Sequence, residues 1–497
     1  MQGSKYVIVN KAAVLAMLLV LSGCAPKTQP KVELPPPPKP PEHEVAYRAG
    51  LDAFRQATPE GYEAAIASFR KASDLSKANC GYLLHLAEAL LFSSQQLKIN
   101  WEEYNPLVSE ANAIVTFKKG TAECQGSESY LTRLESLVTA FRGTRVAEAI
   151  ALINRAIELD PNDPMNWVVL SQFRPSPPGR DAQVPILKAL ELAPKLPIVQ
   201  YETGNYYLTR QETYPQARAA FDWTVELSPR HFQAMIGIVY SLSLSGETDV
   251  EPYLARAVEI APRSLKARTL FGDYFAGLEE IEKAEEQYQA VIAVNAKYYP
   301  AHMALGTALM TAERPNDAEK SFNAVVELDL KNPRPPMNGV DLGADAGAHY
   351  YLGTIWMGRN DLARAKTEYL TSLNSISNFA AAIYGLGTVL HREGKVDEAL
   401  AQLEKVIQID GQRFPNAYMA RGGIRAERRQ FPDALKDFDK AIEIYRQQIV
   451  FLDALARADD AKGWKRKADG ERKRKVLLES ALEKALVSKK AVESQGG

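Results

Sequence analysis

The residues of this sequence that could carry out chemistry are few and widely spaced. Its 497 residues include six histidines, and no two of them stand four positions apart, the spacing that would place two metal ligands on one face of a helix. The chain contains neither the phosphate-binding motif G-x-x-x-x-G-K-[ST] nor the dinucleotide motif G-x-G-x-x-G after a strand. H-E-x-x-H, C-x-x-C and the nucleophile motif G-x-S-x-G are also absent. We therefore expect no cofactor, no metal and no catalytic residue, and an enzyme is only a remote alternative.

Cys24 has a local context that indicates a chemical modification. Ala12 to Leu21 form an apolar run of ten residues, too short to cross a bilayer but of the length found in a signal peptide. Leu21-Ser22-Gly23-Cys24 follows directly, and this order resembles the lipobox of bacterial lipoproteins. The resemblance implies that residues 1–23 are removed and that the Cys24 thiol carries a lipid. Ala25 implies transport to the outer membrane if the host is Gram-negative. The alternatives are a conventional signal peptide with a chance cysteine, or a buried helix.

Residues 24–45 then form a proline-rich linker behind the lipidated cysteine. Eight prolines fall between Pro26 and Pro41, four of them consecutive. Because proline has no backbone N–H and fixes an extended backbone, we expect a semi-rigid spacer.

Cys80 and Cys124 are the remaining cysteines, and in an exported protein two such cysteines often pair. Cys80 is expected at the start of one helix and Cys124 just after its antiparallel partner, so both would lie at the same edge of one unit. A disulfide is favoured, and two separate thiols are the alternative.

Composition excludes two other classes of protein. Sixty Lys and Arg balance 61 Asp and Glu, so bulk charge gives no indication of nucleic-acid binding. The mean hydropathy of −0.26, with a single strongly apolar stretch at the N-terminus, excludes a polytopic membrane protein.

The rest of the sequence is organised by a period near 34 residues. Five glycines are spaced by 34, 47, 34 and 35 residues, an alanine stands twelve residues after each, and an aromatic residue or leucine follows four residues later. The glycines are Gly272, Gly306, Gly353, Gly387 and Gly422; the alanines are Ala284, Ala318, Ala365, Ala399 and Ala434; the larger residues are Tyr288, Phe322, Tyr369, Leu403 and Phe438. The small residues predict close crossings of antiparallel helices, and the larger ones predict contacts beside the next unit.

Prolines mark the period further upstream. Pro161, Pro194, Pro229 and Pro262 are 33, 35 and 33 residues apart. Because proline cannot continue a helix, each predicts a unit boundary.

These features resemble the tetratricopeptide repeat (TPR) family, in which helix-turn-helix units stack into a right-handed superhelix. Leu305-Gly306, Leu352-Gly353 and Leu386-Gly387 match its L-G element. The resemblance implies an all-α fold, a right-handed α-solenoid of about eleven units. We expect degenerate repeats over 46–127, regular repeats over 128–448, and a basic C-terminal capping helix and tail over 449–497.

Two insertions rich in proline and glycine break the period, Phe173 to Gly179 and Pro333 to Gly347. The second contains Asn338, Asp341 and Asp345, which suggests a calcium site. It lacks the alternating acidic residues and closing glutamate of a calcium loop, so an ordinary surface loop is favoured.

The TPR resemblance also implies where a ligand binds, because the first helix of each unit lines the inner face of the superhelix along one stripe. The predicted groove residues are Met303, Thr307, Met310, Tyr350, Thr354, Met357, Tyr384, Thr388, His391 and Met419, with Thr269 and Asp273 at matching positions of the preceding unit. Methionine adapts its shape and tyrosine offers a ring and a hydroxyl, so this set suits an extended peptide or a helix. The alternative is that these side chains only pack helices together.

The C-terminal segment is basic. Between Lys462 and Lys490, eleven basic residues outnumber four acidic ones. Such a segment either binds an anionic lipid, polymer or protein, or forms the solvated face of a capping helix, and the second is favoured.

We therefore expect a lipid-anchored scaffold that binds other proteins of the bacterial cell envelope, at the outer membrane and facing the periplasm. Secretion, pilus, outer-membrane and polysaccharide-export machineries all fit, and no residue selects among them. The alternative is binding of an envelope polysaccharide or peptidoglycan, for which exposed Tyr and Trp rather than Met would line the groove.

Overall fold

The computed structural model describes residues 39–56, 58–77, 79–96, 101–141, 146–173, 184–247, 249–331, 344–461 and 465–496. Within these residues the chain forms 23 α-helices and two short 3-10 helices, and no β-strand. The helices belong to one compact unit, Glu42–Gly497. Cys24, the signal-peptide segment, most of the proline-rich linker and the larger part of both insertions lie outside the described residues.

The first twelve helices cover the N-terminal half of this unit. They are α1 Glu42–Phe54, α2 Pro59–Leu75, α3 Cys80–Gln96, α4 Trp101–Lys118, α5 Glu128–Phe141, α6 Val146–Leu159, α7 Pro164–Phe173, α8 Pro185–Leu192, α9 Pro197–Tyr207, α10 Tyr214–Leu227, α11 Phe232–Leu244 and α12 Glu251–Ile260. The 3-10 helices are Ala122–Cys124 and Gln211–Thr213.

The remaining helices form the C-terminal half. They are α13 Leu265–Gly277, α14 Ile281–Val294, α15 Tyr299–Thr311, α16 Pro315–Lys331, α17 Ala344–Gly358, α18 Leu362–Ser375, α19 Ala380–Arg392, α20 Val396–Asp410, α21 Pro415–Glu427, α22 Phe431–Ala461 and α23 Lys465–Gly496.

The helices stack as pairs in chain order. Each odd-numbered helix as far as α21 packs against the helix that follows it, which makes eleven pairs, and each pair packs against the next. Such an arrangement, in which a unit mainly contacts its sequence neighbours, is an α-solenoid. The predicted all-α solenoid of about eleven helix pairs with a further C-terminal helix is confirmed, and its right-handed sense stays a prediction.

The repeated glycine and the repeated ring meet inside each unit. A Cβ atom added to Gly306 would lie 2.6 Å from Cε1 of Phe322, and one added to Gly272 would lie 2.5 Å from Cε1 of Tyr288. Side chains do not tolerate so short a distance, so glycine is what allows the ring of the second helix to lie directly on the first. The five repeated alanines are fully buried where the helices of a pair cross.

Some rings also reach the following unit. Phe221 lies against Gly204 of its own unit and against Gly237 of the next, and a Cβ atom at either glycine would come within 2.5 Å of the Phe221 Cε1. In the unit where Leu403 replaces the ring, the contact is looser, because a Cβ at Gly387 would be 3.5 Å from the Leu403 Cδ2. The ring position therefore determines how closely the two helices of a unit approach, and Phe221 also contacts the next unit.

The turn inside six of the described units has one shared conformation. Its central residue has a positive φ, and these residues are Gly246, Glu279, Glu313, Asn360, Gly394 and Arg429. The next backbone N–H closes the first helix, as in the 2.9 Å bond from the Lys395 N–H to the Leu390 carbonyl. This is the left-handed helix C-cap, which glycine adopts without strain and other residues adopt at a cost.

The turns between units contain the repeated prolines. Pro161 lies between α6 and α7, Pro194 between α8 and α9, Pro229 between α10 and α11, and Pro262 between α12 and α13. The predicted unit boundaries therefore coincide with breaks between helices.

The last two helices are much longer than the others, at 31 and 32 residues. α22 continues without a break to Ala461, so residue 449, the expected start of the capping segment, lies inside a helix. α23 folds back along α22, and its Leu478 and Leu482 pack against Ile442 and Tyr445. The solenoid thus ends in a helical hairpin.

Candidate functional site

The predicted groove residues lie on four successive first helices. α15 contributes Met303, Thr307 and Met310; α17 contributes Tyr350, Thr354 and Met357; α19 contributes Tyr384, Thr388 and His391; α21 contributes Met419. Each of these side chains is half-buried. They therefore form a stripe that is partly packed and partly open to solvent, called here the first-helix stripe.

The first helices lie close to one another. α13 contacts α15, α15 contacts α17, and α17 contacts α19, although a second helix separates each two in the chain. In a stack of helix pairs that curves, the helices on the inner side approach most closely. The contacts between first helices thus agree with their forming the inner face, where the stripe was predicted.

The threonines of the stripe share one hydrogen bond. The hydroxyls of Thr307, Thr354 and Thr388 donate to the backbone carbonyl four residues earlier, at 2.9, 3.0 and 3.0 Å. Since each hydroxyl has a single proton to donate, the threonines offer a ligand a methyl group and an acceptor oxygen but no donor.

The larger residues of the stripe also hold helices together. The ring centroid of Tyr350 is 5.4 Å from that of Phe379, and burial raises the pKa of the Tyr350 and Tyr384 hydroxyls. Met303 and Met310 contact the apolar core formed by α13 to α17. Helix packing therefore accounts for part of the surface of these side chains, and the exposed remainder is what a ligand could contact.

An open cleft of about 600 Å³ lies between α13 and α15 at the start of the stripe. Its lining is mostly apolar or hydroxylated and contains a single carboxylate. The lining residues are Thr269, Asp273, Ala276, Ile281, Tyr288, Tyr299, Pro300, Met303, Ala304, Thr307, Ala308 and Thr311. The size is within the range of about 300–1,000 Å³ of ligand sites in proteins.

Asp273 is the charged group of this cleft. The buried Tyr288 hydroxyl donates to the Asp273 Oδ1 at 2.7 Å. Solvent reaches the Asp273 side chain, but the cleft walls remove enough water to raise its pKa above the usual range of an aspartate, while the Tyr288 hydrogen bond lowers it in part. The carboxylate in turn raises the pKa of Tyr288, adding to the effect of burial.

The structure brings together only some of the predicted site residues. Met303 and Thr307 line the cleft with Thr269 and Asp273, while the tyrosines and His391 of the stripe lie further along the solenoid. The His391 Nε2 lies 3.1 Å from the Glu427 Oε2, and this contact joins α19 to α21.

Sequence reasoning did not place Tyr288 and Tyr299 in this site. Tyr288 belongs to a second helix, and its hydroxyl bonds Asp273 while its ring fills the contact with Gly272. The signal that could have found it is a tyrosine at the ring position combined with an aspartate next to the repeated glycine.

The cysteines lie in the second helix pair of the solenoid. Cys80 begins α3, Cys124 ends a 3-10 helix after α4, and a disulfide bond joins them with their Cα atoms 5.3 Å apart. Both are buried. Cys24 is outside the described residues, so lipidation stays a prediction.

The structure gives no support to a metal site or a membrane span in the part of the chain it describes. No three His, Cys, Asp or Glu side chains there are placed to hold a metal ion, and none of the described helices combines the length and the hydropathy of a membrane-spanning segment. Of the three residues that suggested calcium, Asp345 accepts a 2.5 Å hydrogen bond from the Ser375 hydroxyl, and Asn338 and Asp341 lie outside the described residues.

Most described cations of the C-terminal basic segment are paired within the chain. Arg472 contacts Asp460 and Asp469, while Lys473 reaches Glu279 at 2.5 Å. Further pairs are Arg474 with Glu471, Lys475 with Asp453 and Glu479, and Lys489 with Asp439 and Glu493. These pairs agree with a solvated capping helix more than with a surface kept open for an anionic partner.

A model of the tetratricopeptide repeat family matches residues 269–335 and 384–449. These ranges fall on the helix pairs from α13 to α16 and from α19 to α22. The match supports the predicted TPR repeats over these residues.

Several known proteins are similar to parts of this chain. Anaphase-promoting complex subunit 3 of Schizosaccharomyces pombe is 25% identical over 261 residues, or 51% of this chain and 37% of that protein, so the chain spans little more than a third of this relative. The solved structure of MamA is 26% identical over 35% of this chain and 95% of its own, with a TM-score of 0.30. A TPR protein from Parabacteroides merdae is 15% identical over 49% of this chain and 91% of its own, with a TM-score of 0.39.

Proposed function

We propose that this chain is a scaffold that binds a segment of another protein along the first-helix stripe, acting by contact and not by catalysis. The observation that supports this most strongly is the alignment of half-buried methionine, tyrosine and threonine side chains on consecutive first helices that touch one another. Partly exposed methionine and tyrosine at successive units suit a ligand that runs across several helices.

We further propose that the scaffold is held at a bacterial envelope membrane through a lipid on Cys24. The apolar run and the Leu21-Ser22-Gly23-Cys24 order support this. The Cys80–Cys124 disulfide is in keeping with an exported protein, because disulfides persist in oxidising compartments such as the periplasm. The partner would then be a protein of an envelope assembly.

The experiment is affinity capture from cross-linked cell envelopes, comparing the full chain with Tyr350→Ala combined with Tyr384→Ala. We expect the wild-type chain to enrich a defined protein complex and the double variant to lose it, since the exposed surface of both rings is removed. Mass spectrometry identifies what is captured, and circular dichroism confirms that the variant is folded.

A matched control comes from the opposite helices of the same two units. Leu370 on α18 and Ile409 on α20 are exposed apolar residues on second helices, so Leu370→Ala with Ile409→Ala should capture the same complex as wild type. Equal capture by all three proteins would place the binding surface elsewhere. Enrichment of glycan fragments alone would favour the polysaccharide or peptidoglycan alternative.

A further inference from the structure

The unit that contains the cleft differs chemically from the units that follow it. The position after the repeated glycine is Asp273 here, but Thr307, Thr354 and Thr388 in the next three units. The threonines turn their hydroxyls onto their own helix, whereas Asp273 keeps an ionisable group inside an open cleft. The stripe therefore begins with an acidic position and continues with neutral ones.

The Asp273 carboxylate lacks a cationic partner among the described residues. Its hydrogen bond comes from the neutral Tyr288 hydroxyl, and no Lys or Arg nitrogen of the described chain lies within 4.0 Å of it. A carboxylate accepts up to about four hydrogen bonds, so most of its acceptor capacity is open to a ligand.

The cations nearest in sequence are held by other groups. Arg268 donates to the Gln287 side chain at 2.9 Å and to the Pro262 carbonyl, and Lys266 lies over the Tyr240 ring at 5.2 Å from its centroid. Lys283 pairs with Glu280 at 2.5 Å. A ligand cation would thus be the group that neutralises Asp273.

We propose that this cleft binds a lysine or arginine side chain of the partner segment, with the cationic head at Asp273 and the aliphatic stem against Tyr299 and Met303. The inference rests on the proposed function, because it names the side chain that the groove selects. The positively charged head would donate hydrogen bonds to the Asp273 carboxylate. The hydrocarbon stem would pack against the Tyr299 ring and the Met303 thioether. A glutamate or aspartate at that position of the partner would be repelled.

The test is selection of a phage-displayed library of random linear peptides on the full chain. We expect wild type to enrich peptides with lysine or arginine at one fixed position among apolar residues. Selection on Asp273→Asn should keep the apolar preference and lose the basic one. Glu286→Gln removes an exposed carboxylate from α14 outside the cleft lining and should select as wild type does.

Affinities of one selected peptide give the size of the effect. Its analogue with norleucine in place of the basic residue should bind wild type about tenfold more weakly, the value expected for one charge-assisted contact. On Asp273→Asn the two peptides should bind alike. Adding salt should weaken the basic peptide on wild type and leave the norleucine peptide unchanged, a comparison that requires no variant.

The possible failures are distinguishable. If wild type selects peptides without a basic preference, or if Asp273→Asn keeps that preference, the assignment of the cleft is overturned and the scaffold proposal stands. If the folded wild-type chain selects no peptide, the scaffold proposal itself loses its support, and the assignment fails with it.

Discussion

Single residues set the spacing of the helices in this protein. Where the repeated glycine faces an aromatic ring, the two helices of a unit approach until the ring touches the backbone of the first helix, as Phe322 does at Gly306. Where it faces Leu403, the side chain leaves more room at Gly387. The same substitution should therefore have different costs in the two units.

We expect Gly306→Ala to destabilise the protein by about 1–3 kcal/mol, because the new methyl group must displace the buried Phe322 ring. Gly387→Ala should have a much smaller effect, since its nearest neighbour, the Gln402 Cβ, is 3.3 Å away and Leu403 is 3.5 Å away. Urea denaturation of both variants measures the difference. Equal losses would show that the ring contact does not determine the helix spacing.

His231 predicts a dependence of stability on pH. It is 3% exposed, its Nδ1 accepts from the Ala234 N–H at 3.2 Å at the start of α11, and burial lowers its pKa from 6.5 to about 4. Above pH 6.5 the ring is neutral in both states. As the pH falls below 6.5 the unfolded chain binds the proton first, so the unfolding free energy decreases until the folded state also binds it near pH 4.

The lowering of the His231 pKa from 6.5 to about 4 corresponds to about 3 kcal/mol of unfolding free energy lost as the pH falls through that range. His231→Asn keeps a side-chain acceptor for the Ala234 N–H and does not titrate, so its stability should fall less over the same range. Urea titrations at several pH values compare the two proteins. Parallel pH profiles would exclude His231 as the source.

Among the elements, the shared turn inside the units shows that one backbone conformation tolerates unlike residues. Gly394 and Gly246 adopt it without strain, whereas Glu279, Glu313 and Arg429 adopt the same positive φ with a side chain present. Packing of the two helices must outweigh the strain in those units, because a left-handed residue costs about 1–2 kcal/mol.

The Gly394→Ala variant measures the strain of the left-handed conformation without a steric contribution. A Cβ atom at Gly394 meets no other atom within 4 Å, so the positive φ alone should lower stability, by about 1 kcal/mol. Gly423 in α21 has equally open space and an ordinary helical φ, so Gly423→Ala should raise stability by about 0.5–1 kcal/mol. Thermal unfolding of the two variants measures these changes. A shift of the unfolding midpoint in the same direction for both would contradict the explanation by backbone strain.

The helix pairs could be predicted from the sequence because their signals are local and repeated. The 34-residue spacing of Gly272 and Gly306 indicates a repeated close crossing of two helices. The prolines at unit ends indicate where helices stop. The left-handed turns at Glu279 and Arg429 carry no such signal, since these residues are common in helices and turns alike. The start of the capping segment expected at residue 449 falls inside α22, where no proline or glycine marks the end of a helix.

The candidate site was harder to predict than the fold. Met303 and Thr307 follow from their register on a first helix, and both line the cleft. The cleft itself depends on how Tyr288 of α14 and Tyr299 of α15 meet Asp273 of α13, which is a property of three packed helices. The pairing of Arg472 with acids on α22 and α23 likewise depends on how these helices lie together.

For the whole chain, the solenoid is reinforced by different means in its N-terminal and C-terminal parts. In the second unit a disulfide joins Cys80 at the start of α3 to Cys124 after α4, and at the C-terminal end α23 covers α22 and exchanges ion pairs with it. The last unit of a repeat array needs a cover such as α23, because one of its faces has no neighbouring unit to bury it. Both parts lie within the folded unit, and the proposed anchor precedes it in the chain.

The proposed anchor gives a prediction for the chain as a whole. Cys24→Ser removes the thiol that would carry the lipid, so we expect unprocessed protein or protein released from the membrane fraction, with the fold unchanged. Cell fractionation and mass of the mature chain measure this, and Cys80→Ser with Cys124→Ser serves as the control that keeps the anchor. A membrane-bound, normally processed Cys24→Ser protein would refute lipidation.

Rings that touch two units have a consequence for how the array comes apart. Because Phe221 lies against glycines of both its own unit and the next, opening either unit removes a contact from the other. Nearest-neighbour coupling of this kind makes adjacent repeats melt together as blocks. Tyr369 makes the same double contact, with Gly353 of its own unit and Gly385 of the next, so this coupling recurs further along the array.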